Sequence, residues 1–318
     1  MSKIAFPPLT LLVAVLVCLL AAVSAQAQSI RTFVSTAGSD SNPCSLASPC
    51  RHFQAAVNVT SAGGEVDALD PGAYGSFTIS QAITIEGQGW SYVAPPANGN
   101  AITINAGGSD TITIHGVSLN GVGASNASGI VFNAGFKLIV TDCVAQNFGG
   151  AGIYMSPSGG QFFFTITNTI VSNDGNEGIA YVPPSGSTQT VGVIDHVVAS
   201  HNPTIGILIA TTNGGGATTV AISNSIASGN FIYGIDLESG SGPLTISIDN
   251  TTLVGNSNDA INANGSTTVT LGRSVITGNN RGILNATSPN TFYSYQDNRI
   301  GDNHTDVAGE PLVLRQPQ

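Results

Sequence analysis

The 318-residue chain is 42% hydrophobic but only 8% charged, with 39 glycines and a formal net charge of −10. So few Glu, Lys and Arg exclude a helical protein, whose exposed faces need them, and the hydrophobic share excludes a disordered chain. An acidic balance without a basic run excludes nucleic acid as a partner, since phosphate binding needs clustered Lys and Arg.

The N-terminus offers Lys3, an apolar run from Leu9 to Val23, and then Ala25-Gln26-Ala27. That order reads as a secretory signal over 1–27, cleaved after Ala27. The rival, an uncleaved anchor, is disfavoured because a run of fifteen residues falls short of the ~20 that span a bilayer. No later segment is apolar enough to cross a membrane. The mature chain then carries 7 basic and 18 acidic residues, net −11, and is expected to be secreted or periplasmic.

Residues 28–67 read as an N-terminal cap. Cys44 and Cys50 flank "SLASP" and can close a small disulfide loop in an oxidising compartment. A redox pair or metal site there lacks further ligands. Ser48-Pro49 starts a short helix running through Asn58, with Phe53, Ala56 and Val57 on one face. That helix is expected to plug the open N-terminal end of a strand-built core.

From Ala68 the pattern changes to strands. Asp70-Pro71-Gly72 makes a turn and Gly75 relaxes the next bend. Two strands, Ser76–Ile79 and Ala82–Glu86, then point Ile79, Ile83 and Ile85 inward. "GGSDTI" at Gly107–Ile112 matches half of a calcium-binding nonapeptide repeat. It occurs once, whereas such sites need the motif stacked on adjacent turns. Cys143, left single once Cys18 departs with the signal, is expected to pack as a small hydrophobe.

A repeat then governs the chain. "VTDCVAQNFGGAGI", "VIDHVVASHNPTIGI" and "ISNSIASGNFIYGI" share β-branched alternation, a polar bend and a closing isoleucine. The closing residues are Ile130, Ile153, Ile179, Ile207, Ile235, Ile261 and Ile283, at intervals of 22 to 28. So short a period, with strands and no helix between them, means a solenoid. The leucine-rich frame is missing and the units are too short for propeller blades. The predicted fold is all-β, a right-handed parallel β-helix over 68–303 behind the short capping helix, with 304–318 as a tail. Asn173, Asn202, Asn230, Asn256 and Asn279 fall at one bend, where their amides can stack as a ladder and Asn tolerates a left-handed backbone.

Chemistry is sparse within this frame. His196 and His201 flank a bend beside Asp195, with only Thr169 and Ser225 as neighbours, and read as solvated turn residues. "GGG" at Gly214–Gly216 is a loop without the Lys that phosphate binding would need. "GIDLESG" stands out. With Ile235 and Leu237 inward, Asp236 and Glu238 face out about 7 Å apart on one strand. Carboxylates so spaced can serve glycoside hydrolysis as acid and base. Asn262 and Asn264 take the equivalent places one turn on, and Tyr154 further back, so a groove that hydrogen-bonds and stacks on sugars is possible. The plainer reading is a solvated strand face.

The stretch "GGEVDALDPGAYGSFTISQAITIEGQG" resembles the first turn of pectin-lyase-like right-handed β-helix proteins. With "RTFVSTAGSDSNPCSLASPC" and "DNRIGDN", the chain is similar to secreted bacterial β-helix repeat proteins without an assigned activity. The likeness runs from Arg31 to Asn303. It implies an extracellular, carbohydrate-related role, but the superfamily's catalytic sets do not carry over. A pectate lyase would need several Asp around calcium and a basic residue at the sugar's α-proton. Arg273, Arg281 and Lys137 are the candidates, and no acidic cluster is expected on their turns. Of the polygalacturonase motifs only His115-Gly116 remains. The expected function is a non-catalytic secreted β-helix that binds polysaccharide through an outward strand face. The alternatives are a polysaccharide lyase or glycoside hydrolase, and an adhesin-like structural protein. No metal or cofactor is expected, calcium entering only for a lyase.

Overall fold

The computed structural model describes residues 29–316 apart from 98, 123, 215, 241 and 287–290. The expected signal, 1–27, lies outside the described residues. Short strands of alternating β-branched and polar residues pair in parallel with the turn before and the turn after. They wind into a right-handed parallel β-helix. A ten-stranded sheet runs from Phe77–Ile79 to Thr305–Gly309. In the later turns a long strand such as Leu244–Asp249 and a short one such as Thr252–Val254 supply the other two sides, within one twenty-stranded sheet.

The closing isoleucines stack as the repeat predicts, each from Ile130 to Ile283 pairing in register with the next. All are buried. Burying one such side chain stabilises by roughly 1.5–3 kcal/mol, so this column alone outweighs any single polar contact. Ile79, Ile83 and Ile85 begin the core, also buried.

The cap differs in detail. Cys44 and Cys50 form the disulfide. The helix spans Phe53–Val59 and buries Phe53, Ala56 and Val57 as expected, but starts later than Pro49. The Asp40 carboxylate accepts the backbone N–H groups of Arg51 and His52, each at 2.9 Å, and so holds that segment extended. Phe53 packs its ring against Tyr74 and Phe77, closing the end of the core. Asp70 does more than turn: it accepts from Ser35 Oγ, Thr36 N and Tyr74 Oη, tying cap to solenoid. At the other end the expected tail supplies two strands, Thr305–Gly309 and Val313–Arg315, which extend both sheets.

The amide ladder exists, shifted by one place at its start. Asn202, Asn230, Asn256 and Asn279 each donate through Nδ2 to the next Oδ1, ending on Asn303, at 2.9–3.0 Å. The first place belongs to Asp174, whose N–H donates to Asn202 Oδ1, and not to Asn173. The left-handed backbone sits one residue earlier: Asn173 and His201 have φ of 55° and 56°, and Gly229, Gly255 and Gly278 take the same place. A second ladder, unforeseen, lines the other bend. The N–H groups of Cys143, Val197 and Thr251 donate to Thr169 Oγ1, Ser225 Oγ and Ser274 Oγ on the following turns. Cys143 is buried as expected, and its thiol leans on the Thr141 carbonyl at 3.2 Å, where the ladder hydroxyls make the same local bond.

Candidate functional site

Because Ile235 and Leu237 enter the core, the residues between and beside them face away from it. Parallel register then builds a patch over three turns. Asp236 lies between Leu208 and Asn262, Glu238 between Ala210 and Asn264, and Tyr233 between Ile205 and Asp259. Asp259 is followed in turn by Arg281. Neighbouring turns are about 4.8 Å apart, so all seven polar groups share one surface.

That surface is not the solvated face the sequence suggests. Asp236 points away from the core yet is only 2% exposed, Asn262 3% and Asp259 0%. Their neighbours Tyr233, Glu238 and Arg281 stay half-buried and reachable. Asn262 Nδ2 donates to Asp236 Oδ1 at 2.9 Å, while its own Oδ1 is buried without a partner. Burial first, and the Glu238 charge second, push the Asp236 carboxyl up to about 7, against the pull of the Asn262 bond. A buried carboxyl is raised in this way because its charged form loses hydration.

The basic residues also differ from expectation. Arg281 does share its surroundings with acids: Nε and Nη2 grip the two oxygens of Asp259, the latter at 3.0 Å, and Nη2 reaches Asn258 Oδ1 at 3.4 Å. This fork holds the guanidinium above its ordinary value. Tyr233 is likewise raised, by burial and then by the Asp236 and Asp259 charges. Arg273 pairs with Asp249 at a bend.

The structure thus brings together Asp236, Glu238, Asn262 and Asn264 from the expected set. Tyr154 occupies the Asp236 row but three turns back, past Ala180 and Leu208, about 14 Å away. Sequence reasoning missed Tyr233 and Asp259, and named Arg281 only as a lyase candidate without acids on its turn. Each stands two residues before a closing isoleucine, so aligning the repeats on Ile235, Ile261 and Ile283 exposes the column.

Polar groups also gather elsewhere: on the long-strand side Arg31, Asp67, Glu86 and His115 follow one another on consecutive turns. His196 bonds Asp195 at 2.7 Å on an open bend, and Asp195 also accepts from Ser223 and Asn224. His115 bridges Glu86 at 2.6 Å and Asp142 at 3.0 Å on the long-strand side, a contact the "HG" fragment does not announce. Among the described residues, no group of three or more His, Cys, Asp and Glu is placed to hold a metal ion. Hollows of about 320 and 330 Å³ lie elsewhere, around Arg299 and around Phe136.

No family model and no curated protein matches the chain. Solved structures do. A pectate lyase, Pel9A, superposes with a TM-score of 0.56 at 15% identity, over 88% of this chain and 78% of that one. The periplasmic alginate epimerase AlgG gives 0.54 at 11% identity, over 79% and 71%. At such identities the likeness establishes the fold, a parallel β-helix, and fold does not fix activity.

Proposed function

We propose that the protein is a secreted or periplasmic β-helix that binds a polysaccharide chain across the outward face of its ten-stranded sheet. The observation that carries the reading is the patch itself. Tyr233, Glu238, Asn264 and Arg281 stay reachable around a buried Asp236–Asn262 pair, on a rigid face long enough for several sugar units. Amides and carboxylates bond hydroxyls, and a half-buried tyrosine offers a stacking surface. Fold neighbours that act on polysaccharides support the choice of ligand class. The Cys44–Cys50 disulfide supports an oxidising compartment.

The test is retention of residues 28–318 on immobilised polysaccharides, compared with Tyr233→Ala and Glu238→Ala. Binding that weakens about tenfold or more in each variant is expected from the loss of a stacking ring or a charged hydrogen-bonding partner. Binding untouched by both variants sinks this surface as the site.

One observation favours a second reading, glycoside hydrolysis. Asp236, up to about 7 beside the Glu238 carboxylate, has the acidity a general acid needs near neutrality. Its burial opposes this, since the acid must touch the glycosidic oxygen. New reducing ends from a bound glycan, absent in Asp236→Asn, would establish it. Neither reading needs a cofactor; calcium belongs only to a lyase.

A further inference from the structure

Resting on the glycan-binding reading above, we propose that the ligand is a neutral polysaccharide, and that the face is built to reject a polyuronate. Charge is the first ground. Three adjacent turns place Asp236, Glu238 and Asp259 on the patch against Arg281 alone. Arg281 is the only Lys or Arg in the strands of the ten-stranded sheet among the described residues. Its fork is already committed to both oxygens of Asp259. A sugar carboxylate therefore meets only the outer edge of a guanidinium whose charge Asp259 already offsets, and no second cation on this sheet.

The remaining cations of the described chain are placed elsewhere. Arg31 pairs with Asp67 and Glu65, Arg273 with Asp249, and Arg315 lies over the Tyr293 ring. Arg51 bonds the Ala73 carbonyl in the cap. Lys137 and Arg299 belong to strands of the twenty-stranded sheet. With 7 basic and 18 acidic residues after Ala27, the long-range field adds to the local one and slows the approach of any polyanion.

Hydrogen-bond polarity is the second, independent ground. The half-buried Glu238 carboxylate offers only acceptors to an incoming chain, and beside it Asp236 Oδ1 is already engaged by Asn262 Nδ2. An acceptor-rich patch calls for donors. Sugar hydroxyls donate; an ionised carboxylate only accepts. A neutral chain can pair with these groups, whereas each uronate would add an acceptor and a charge of the wrong sign.

The experiment uses matched pairs. The protein is titrated with β-glucan, galactan and mannan, and with each after oxidation of C6 to the uronate, in buffer of about 10 mM and about 500 mM salt. At low salt a neutral glycan should bind at least tenfold tighter than its oxidised form, the gap closing as salt screens the repulsion. Asp259→Asn frees the Arg281 fork and should raise affinity for the oxidised glycan. Glu238→Gln, at a half-buried place that tolerates the change, should narrow the gap if the first variant fails to fold by circular dichroism. Equal or tighter binding of the oxidised forms by the unaltered protein overturns the inference while leaving glycan binding intact. No binding to either member of any pair, nor to pectate or alginate, removes the glycan-binding reading and this one with it.

Discussion

Asp174→Asn should stabilise the protein, and by an amount that depends on pH. Asp174 holds the first place of the amide ladder and is fully buried. Phe148 N–H donates to its Oδ1 at 3.1 Å, while Oδ2 is buried without a partner. Burial pushes this carboxyl up to about 8 from an ordinary 3.8, against the pull of the Phe148 bond. A raised acid gives its full support to the fold below the unfolded value and loses it as pH climbs to the folded one. Between pH 4 and 8 that loss is about 1.4 kcal/mol per unit, so at pH 7 it reaches a ceiling of about 4 kcal/mol. An amide in this place has no proton to lose. Its Nδ2 can also donate to Asn202 Oδ1, as the later rungs do, worth about 1 kcal/mol. The assay is urea unfolding of both proteins at pH 4.5, 6 and 8, followed by circular dichroism. The variant should gain about 2 kcal/mol at the lowest pH and up to about 6 kcal/mol at the highest. A gain that does not grow with pH, or a loss at pH 8, refutes the account of Asp174 as a buried neutral acid.

Asn230→Ala removes bonds to Asn256 Oδ1 and the Ala199 carbonyl and leaves Asn202 Nδ2 without its acceptor; a destabilisation of about 3–5 kcal/mol in the same assay is expected. Asp236 should show a carboxyl resonance titrating near 7, moving down in Glu238→Gln as the neighbouring charge goes; an unmoved midpoint would leave burial as the sole cause. Reduction of Cys44–Cys50, which closes a short loop with a sequence separation of 6, should cost about 2 kcal/mol, read as the difference in unfolding midpoint with and without reductant.

The fold was legible because its driving force is written as a column. Isoleucines that recur once per turn, from Ile130 to Ile283, can share one core only by stacking, and the observed register places each on the next. The ladder was legible to within one place. In "SNDGN" both Asn173 and Asp174 suit a bend, and side-chain chemistry favours the amide. The backbone decides instead: the left-handed residue comes first and the ladder residue after it. The helix start was hidden because the group that delays it, Asp40, lies on the far side of the disulfide loop from Phe53. Asp236 and Glu238 were readable as outward by alternation. Their unequal burial was not, since it depends on Leu208 and Asn262, each a full turn away along the chain. The Arg281–Asp259 pair crosses turns in the same manner.

The stacked bends also make the single turn a unit of inheritance. From Asn202 to Asn279 each ladder amide joins its counterparts on the adjoining turns. A gene duplication that copies one whole turn between Asn230 and Asn256 inserts a rung that finds matching partners on both sides. The molecule grows by about 4.8 Å and its two ends are unchanged. A duplication of half a turn finds none. Lengths of such a protein across a lineage should therefore change by whole turns, such as the stretch from Ile235 to Ile261, and not by fractions of one. The cap at one end and Val313–Arg315 at the other would travel as fixed bookends.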